Sequence, residues 1–152
     1  MNKKEPIIRL ARQTDLKDII RLCALHAEYE KAEYNSEEKE QNLSKYLFSE
    51  NPTVFCLVAE WENSIIGYSS YMKQFSTWDA NFYIYMDCLF LTEESRGYGI
   101  GEKMMNVIKE EAEKLNCNLI QWQTPDFNTR AIKFYDRIGG ISKTKERYFL
   151  KV

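Results

Sequence analysis

The chain has 152 residues, of which 44% are hydrophobic and 29% are charged, and its formal net charge at pH 7 is −2. These values predict one folded domain over residues 1–152 and argue against a disordered chain. No apolar run approaches the roughly 20 residues that cross a bilayer, and the slightly acidic balance argues against nucleic-acid binding through positive charge. We therefore expect neither a membrane nor a nucleic acid as partner.

The spacing of apolar residues predicts an α/β (α+β) fold, a mixed, mostly antiparallel sheet flanked by helices in the order β-α-α-β-β-β-α-β-α-β. In chain order the predicted elements are a strand at 7–11, a helix from 15, a helix after 35–36, strands at 54–61, 65–75 and 82–91, a helix after the loop 96–101 to about 115, a strand at 119–124, a helix after 128 and a strand at 141–152. Thr14 and Asn128 are predicted to cap the first and last helices, and Gly139-Gly140 to end the last one.

The segment 82–91 is the most strand-like in the chain, and Asp87 is the only acidic residue within it. Alternation places Asp87 and Leu89 on one face of this strand and Met86 and Phe90 on the other. An acidic side chain in so apolar a strand indicates either a chemical role or structural hydrogen bonds on a solvent-facing side.

The cysteines and the histidine bear on metal sites and on the compartment. Four cysteines are spread along the chain: Cys23, Cys56, Cys88 and Cys117. Because they form no C-x-x-C pair and His26 is the only histidine, we expect no metal site and interpret the cysteines as buried, reduced thiols. The start of the chain reaches Glu5 and Pro6 before any hydrophobic stretch, unlike a signal peptide, so we expect a cytoplasmic protein. His26 lies within a helical pattern, which favours a packing or surface role over a catalytic one.

The most informative segment is a strand that runs into a glycine-rich loop at the start of a long helix. The loop is Arg96-Gly97-Tyr98-Gly99-Ile100-Gly101. Its three glycines let the backbone approach an anion closely, and the helix start adds free N–H groups and the positive end of the helix dipole. Arg96 adds a mobile cation at the rim. The loop is therefore predicted to bind a pyrophosphate.

The spacing around these glycines differs from two common nucleotide motifs. A dinucleotide-binding G-x-G-x-x-G pattern would need a third glycine at 102 or 104, where Glu102 and Met104 stand. A Walker loop ends in G-K-[ST], but Lys103 follows Glu102 and precedes Met104. Neither motif fits.

The pattern R-x-x-G-x-G at 96–101 resembles the acetyl-CoA pyrophosphate loop of the GNAT superfamily of N-acetyltransferases, and the order of elements also matches that fold. The segment 128–139 resembles the family's second motif, a helix over the thiol end of the cofactor. The resemblance covers essentially the whole chain. It implies an acyl-CoA-dependent enzyme that transfers an acetyl group from acetyl-CoA directly to a primary amine, without a metal, and we expect a homodimer.

A narrower similarity exists to the spermidine/spermine and thialysine N-acetyltransferases. The start of the chain resembles that of those enzymes at Ile8-Arg9, Asp15, Asp18-Ile19, Arg21-Leu22 and Tyr29-Glu30. In addition, Tyr85-Met86-Asp87 falls where they carry Tyr-Leu-Glu. The similarity implies a small, cationic acceptor. Two alternatives stay open, a protein or peptide lysine or N-terminal acetyltransferase and a non-catalytic acyl-CoA-binding sensor.

The reaction needs a proton removed from the amine and a proton given to the departing thiolate. Asp87 is interpreted as the general base, as the anchor of a water relay or as a substrate-binding carboxylate. Tyr135 is the candidate general acid, because the reference pKa of a phenol is near 10 and that of a thiol about 8.5. The resemblance implies that backbone groups of Leu89, Phe90 and Leu91 pair with the pantetheine arm and that Asn128 contacts the cofactor.

The acceptor site is predicted from charge and from aromatic residues. Tyr29 and Glu30 lie at the start of an acid-rich segment, 28–40, which would favour a cationic amine, although a solvated helix face has the same composition. Trp78, between two strands, is a candidate for a cation–π contact with the amine. Together with Asp87, these residues are the predicted substrate-binding set.

Overall fold

The computed structural model describes residues 4–152. Residues 1–3, which belong to the start of the chain that is unlike a signal peptide, lie outside the described residues. Five strands form one sheet in sequential order: β1 (Ile7–Leu10), β2 (Val54–Trp61), β3 (Ser64–Ser76), β4 (Asn81–Leu91) and β5 (Ile120–Gln121). Neighbouring strands are antiparallel, except that β4 and β5 are parallel. The predicted mixed, mostly antiparallel sheet is confirmed.

Helices cover both faces of this sheet: α1 (Leu16–Tyr29), α2 (Lys39–Leu47), α3 (Ile100–Lys114) and α4 (Thr129–Arg137). The apolar stripe of α1, including Ile19 and Leu22, packs with Val58 of β2 on one face. On the other face Met104 and Ile108 of α3 pack against the sheet, with part of α4 beside them. Helices α1 and α3 therefore each bury one side, as their spacing predicted, whereas α2 and α4 contain no fully buried residue. No helix within residues 4–152 is long and apolar enough to cross a membrane.

Two of the predicted helix caps are wrong. α1 begins at Leu16 after a 3₁₀ turn, and the Asp15 carboxylate, not Thr14, accepts the backbone N–H of Arg12 at 2.7 Å. α2 begins at Lys39 rather than directly after residues 35–36. There the side chain of Asn35 accepts the N–H of Glu37, which makes a tight turn instead of a helix cap.

The start and end of α4 follow the prediction. The Asn128 side chain accepts the backbone N–H of Ala131 at 3.3 Å, which is a helix N-cap. At the other end Gly139 has a φ of +98°, in the left-handed region that favours glycine. The amide of Gly140 then donates to the Tyr135 carbonyl at 2.9 Å and closes the helix.

A β-bulge interrupts β4 at Asp87. Cys88 pairs with Ser70 and Met86 pairs with Tyr71, so Asp87 has no pairing partner in β3. One extra residue in a strand leaves its side chain free of the ladder and bends the strand locally. Asp87 is this extra residue.

Because of the bulge, the predicted alternation of side chains along this strand is wrong. Met86 packs in the same cluster as Leu89 and Leu91, on the α3 face, whereas Phe90 packs on the α1 face. Met86 and Phe90 therefore lie on opposite faces, not on the same one. The physical reason is that one extra residue shifts the two-residue period of the strand by one position.

Strand β5 is much shorter than the predicted strand at 119–124. It pairs with β4 at only two positions, Ile84 with Ile120 and Tyr85 with Gln121. Beyond Tyr85 the two segments diverge at the bulge, so no strand of the described chain lies beside residues 87–91 on this edge. The divergence opens a cleft in the sheet.

The predicted last strand at 141–152 is not formed. These residues adopt no regular element, and Ile141 and Leu150 are more than nine-tenths exposed. A strand needs a neighbouring ladder to satisfy its backbone groups, and residues 141–152 pair with none of the described strands.

Candidate active site

A pocket of about 440 Å³ lies in the cleft where β4 and the residues after β5 diverge. It collects most of the predicted site residues: Tyr29, Glu30, Asp87, Leu89, Phe90, Leu91, Arg96, Gly97, Gly99, Ile100, Gly101, Asn128 and Tyr135. Two predicted residues lie outside it. Tyr98 packs against Trp61 with the ring centroids 5.0 Å apart, and Trp78 is 95% exposed on the turn between β3 and β4.

The glycine loop has the backbone that its sequence predicted. Gly97 has a φ of +86° and Gly99, which precedes the first residue of α3, a φ of +75°. A Cβ built on either glycine meets nothing within 4 Å, so the space beside the loop is open. At Gly101 a Cβ would lie 3.2 Å from the ring of Phe134, so this glycine lets α3 approach α4 closely. The open, turned backbone at a helix start suits a phosphate group.

Arg96 is held inside the pocket and is not the mobile rim cation that the loop predicted. Its guanidinium lies 4.4 Å from the ring centroid of Tyr29 and 5.3 Å from that of Phe90. Its Nε donates to the Leu91 carbonyl at 3.0 Å. Arg96 thus joins the loop to α1 and to the end of β4.

Asn128 is nearly buried and links three segments. Its Oδ1 accepts from the Tyr29 hydroxyl at 2.8 Å as well as from the Ala131 amide, and its Nδ2 donates to Thr124 Oγ1 at 3.3 Å. The bond to Tyr29 connects the last turn of α1 to the first turn of α4. The side chain therefore holds together the two helices that enclose the pocket.

Tyr135 is largely buried on the inner side of α4. Its ring packs against Trp122 and Phe134, with centroids 5.1 Å and 5.2 Å apart. Burial, followed by the nearby charge of Glu30, raises the pKa of Tyr135 well above its usual range. The phenol therefore keeps its proton at neutral pH and can serve as a donor.

Three acidic residues line the pocket: Glu30, Asp87 and Glu102 of α3. Asp87 projects from the bulge and is exposed, so its oxygens are open to an incoming amine. Glu30 follows the end of α1 and is partly buried. Burial raises the pKa of Glu30, while the positive charge of Arg147 acts in the opposite direction.

His26 lies in the pocket wall, where the sequence analysis did not favour it. Its Nε2 is 3.0 Å from Glu30 Oε2 and its Nδ1 is 2.7 Å from the Tyr68 hydroxyl. Burial lowers the pKa of His26 to about 4, so the imidazole is neutral at pH 7. Residues four apart on a helix face each other, so the spacing of His26 and Glu30 could have predicted this contact from the sequence.

The sequence analysis also missed a row of basic residues. Arg130, Lys133 and Arg137 lie on α4 and line the same pocket as Arg96. Their spacing of three and four residues places them on one side of the helix, which is the signal that could have found them. The pocket therefore combines several cations with the carboxylates of Glu30, Asp87 and Glu102. Among residues 4–152, no group of three or more His, Cys, Asp or Glu side chains is placed to hold a metal ion.

These features fit a thioester carried on a long polyamide arm with a phosphate tail. The edge of β4 at 87–91 lies beside no other described strand, so its backbone groups are free to form hydrogen bonds with the amides of such an arm. The glycine loop and the cations of α4 suit the phosphates. The fold and the pocket thus define an acyl-CoA-dependent N-acetyltransferase. The chain belongs to the acetyltransferase (GNAT) family, whose pattern matches residues 18–140.

Individual relatives agree with this assignment. A thialysine N-epsilon-acetyltransferase from Bos taurus is 32% identical over 147 residues, which are 91% of this chain and 86% of that protein. A human spermidine/spermine N(1)-acetyltransferase-like protein is 25% identical over 91% of this chain and 21% of its own length. Among solved structures, an integron cassette protein from the mobile metagenome of V. cholerae superposes with a TM-score of 0.79 at 26% identity, covering 98% of this chain and 94% of that one.

Proposed function

We propose that this enzyme transfers an acetyl group from acetyl-CoA directly to the primary amine of a small, cationic acceptor. The observation that carries the proposal is the pairing of two carboxylates, Glu30 and Asp87, with several cations in one pocket. A positively charged amine is attracted to the carboxylates, and a polyanionic cofactor to the cations. Relatives named for thialysine and for spermidine/spermine further support an amine of this class.

In the proposed complex the glycine loop and the basic row of α4 hold the cofactor phosphates. The loop contributes backbone N–H groups around Gly99, and Arg130 and Arg137 contribute charge-assisted hydrogen bonds. Backbone groups of residues 89–91 pair with the amides of the pantetheine arm, since no other described strand occupies this edge. Asn128 contacts the arm from the start of α4. Bound acetyl-CoA supplies the thioester carbonyl that a neutral amine attacks.

Asp87 removes the proton from the acceptor. An alkyl amine has a pKa near 10, so most of it carries a proton at neutral pH and must lose it before attack. The bulge points Asp87 out of the ladder and into the open part of the pocket, where its carboxylate takes the proton directly or through one water. Tyr29 and Glu30 bind the rest of the acceptor.

Tyr135 gives a proton to the departing sulfur. Burial raises the pKa of Tyr135, so its hydroxyl keeps a proton at neutral pH. The hydroxyl gives this proton to the sulfur as the bond between the carbonyl carbon and the sulfur breaks.

The proposal includes a homodimer in a reducing, cytoplasmic compartment. Support for the dimer comes from exposed apolar side chains on the turn after β3 and on the C-terminal segment, including Trp78, Tyr148 and Leu150. A second copy would cover these groups. Light scattering on the full chain should then give a mass near twice 18.1 kDa; a monomer at micromolar concentration would contradict the dimer. All four cysteines are free, in agreement with a reducing compartment.

The decisive experiment is a thiol-release assay with acetyl-CoA and a panel of amines. The panel should contain polyamines, amino acids with a side-chain amine, an aminoglycoside and a lysine-bearing peptide. We expect turnover with small cationic amines and little with the peptide. Turnover with the peptide alone would favour protein acetylation, and cofactor binding without thiol release from any amine would favour a sensor.

A further inference from the structure

We propose that His26 is a positioning residue for the acceptor: its neutral imidazole, with the proton on Nε2, holds the Glu30 carboxylate in the pocket and thereby sets the affinity for the amine. The inference rests on the proposed function, because it concerns Glu30 as part of the acceptor site. It adds a residue that the sequence analysis did not place there. It also assigns that residue a defined tautomer.

The ring of His26 is held on every side. Its Nδ1 lies 2.7 Å from the Tyr68 hydroxyl and its Nε2 lies 3.0 Å from Glu30 Oε2. The ring stacks on Phe90 with a centroid distance of 5.1 Å and an interplanar angle of 19°. Its side chain is 14% exposed. Both nitrogens and the ring itself are therefore fixed by partners from α1, β3 and β4.

The two partners decide which nitrogen carries the proton. An ionised carboxylate only accepts hydrogen bonds, so His26 Nε2 must donate to Glu30. The other nitrogen, Nδ1, then has a lone pair and must accept from the Tyr68 hydroxyl. Burial raises the pKa of Tyr68 far above its usual range, so that hydroxyl keeps the proton it donates. The result is a one-way chain of donors from Tyr68 through His26 to Glu30.

Charged and titratable groups face His26 from four parts of the chain: Glu30 just after α1, Tyr68 on β3, Asp87 on β4 and Arg96 in the glycine loop. Burial is the largest influence, Asp87 opposes it and Arg96 adds to it, and together they lower the pKa of His26 to about 4. A ring with so low a pKa is a poor base for an amine near pKa 10. Its role is therefore to orient Glu30 and not to take the proton of the acceptor.

A purely structural role for His26 makes a different prediction. Tyr68 is 3% exposed, and its hydroxyl needs a partner when it is buried. If His26 served only this hydroxyl, its loss would affect folding, and removing the hydroxyl as well would cancel the effect. If His26 positions Glu30, the effect on the acceptor persists without the hydroxyl. The two roles can therefore be separated by variants.

The central experiment is a double-mutant cycle with His26→Phe and Glu30→Gln, read in steady-state kinetics with a cationic amine that the enzyme acetylates. Phenylalanine keeps the stacked ring and removes both nitrogens. We expect His26→Phe to raise the KM for the amine about fivefold or more, with kcat changed less than about twofold. Glu30→Gln should have a similar effect, and the double variant should be no worse than Glu30→Gln alone, because the two residues act as one unit.

Two further measurements separate positioning from folding. In His26→Phe/Tyr68→Phe no hydroxyl is left without a partner, so we expect the Tm to recover while the KM for the amine stays raised. In His26→Phe the Glu30 carboxylate loses a donor, which raises its pKa, so the acidic limb of kcat/KM should move to higher pH. His26→Gln keeps a side-chain N–H on the same helix face and should restore part of the affinity.

Three results would overturn the proposal. One is an unchanged KM in a folded His26→Phe enzyme, and another is a KM defect that disappears when Tyr68→Phe is added. In both cases turnover by the wild-type enzyme would leave the proposed function intact. The third is a lack of turnover with every cationic amine, which would overturn the proposed function and the role of His26 together.

Discussion

The Tyr29 hydroxyl donates to Asn128 Oδ1 at 2.8 Å, although the two residues are 99 positions apart in the chain. Tyr29 ends α1 and Asn128 caps α4, so this bond joins the helix proposed to bind the acceptor to the helix proposed to cover the cofactor. Arg96 stacks on the other side of the contact, over the ring of Tyr29. The end of α1, the glycine loop and the start of α4 therefore meet at the side chain of Tyr29.

The glycine loop should lose affinity for the cofactor when Gly99 carries a side chain. Gly99→Val forces a branched residue into a φ of +75°, which disturbs the backbone N–H groups at the start of α3. We expect the Kd for acetyl-CoA to rise tenfold or more, about 1.4 kcal/mol, in calorimetric titrations. Gly139→Val is the matched control, because its φ is also positive but it lies outside the pocket. Equal affinity in a folded Gly99→Val protein would remove the loop from the cofactor site.

Tyr135→Phe should slow the chemical step and leave cofactor binding almost unchanged. The variant keeps the packing against Trp122 and loses only the hydroxyl that gives a proton to the thiolate. General acid catalysis is typically worth about 10² or more, so kcat should fall by that factor. Tyr83→Phe serves as control, because its hydroxyl bonds Gln74 away from the pocket. An unchanged kcat would reduce Tyr135 to a packing residue.

Asp87→Asn should reduce kcat/KM for the acceptor in a manner that depends on pH. The amide cannot take the proton of the amine, but at high pH more of the amine is already neutral. We expect a large loss near pH 7 that shrinks as the pH approaches about 10. Asp136→Asn removes an exposed carboxylate of α4 outside the pocket and should change little. A loss that is the same at every pH would argue for substrate binding alone.

The neutral, buried His26 should make the fold less stable in acid. The unfolded residue takes up a proton near pH 6.5, whereas in the fold its pKa is about 4. Between these values the unfolded state binds more protons, so the free energy of unfolding falls as the pH falls from 6.5 to 4, by on the order of 3 kcal/mol. Urea unfolding at several pH values should show this decrease in the wild-type protein. In His26→Phe/Tyr68→Phe the decrease should be smaller; equal slopes would contradict the burial of a neutral ring.

Asp15→Asn should destabilise the fold far more than a comparable surface change. The Asp15 side chain is nearly buried and accepts two hydrogen bonds from Arg9, at 2.7 Å and 3.0 Å, which lowers the pKa of Asp15. Asp15→Asn leaves the Arg9 guanidinium with only the Glu60 carboxylate, 3.1 Å from its Nε, and should cost about 3 kcal/mol in urea unfolding. Asp18→Asn breaks an exposed pair with Arg21 and should cost less than about 1 kcal/mol. Similar costs for the two variants would show that the Arg9–Asp15 pair contributes no more to the stability of the fold than an exposed ion pair.

Short-range patterns predicted most of the helices and strands. The observed β2 has the predicted bounds, since a run of β-branched and aromatic residues lies between Pro52 and a tight turn. In that turn Glu62 and Asn63 both have positive φ, which suits a two-residue hairpin. Asn128 caps α4 as expected because the cap and its N–H partner are three residues apart. Each of these features depends on neighbours in sequence.

Strand pairing could not be predicted in the same way. The bulge at Asp87, the two-residue length of β5 and the unpaired segment 141–152 all depend on how a strand meets another strand or on the lack of one. Register belongs to the pair and not to either sequence, and one extra residue reverses every later side chain. For this reason the alternation expected through 82–91 was wrong after Asp87.

By itself the sequence determined the glycine loop, the candidate acid Tyr135 and the cap at Asn128, because each lies in a local motif with its own backbone requirement. Only the tertiary structure decided that His26 bonds Tyr68 and faces Glu30 and that Tyr29 bonds Asn128, since these contacts depend on how α1 packs on the sheet and against α4. The spacing of apolar residues predicts which face of a helix is buried. It does not predict which buried polar groups elsewhere in the fold, such as the Tyr68 hydroxyl, will form a hydrogen bond with a side chain of that helix.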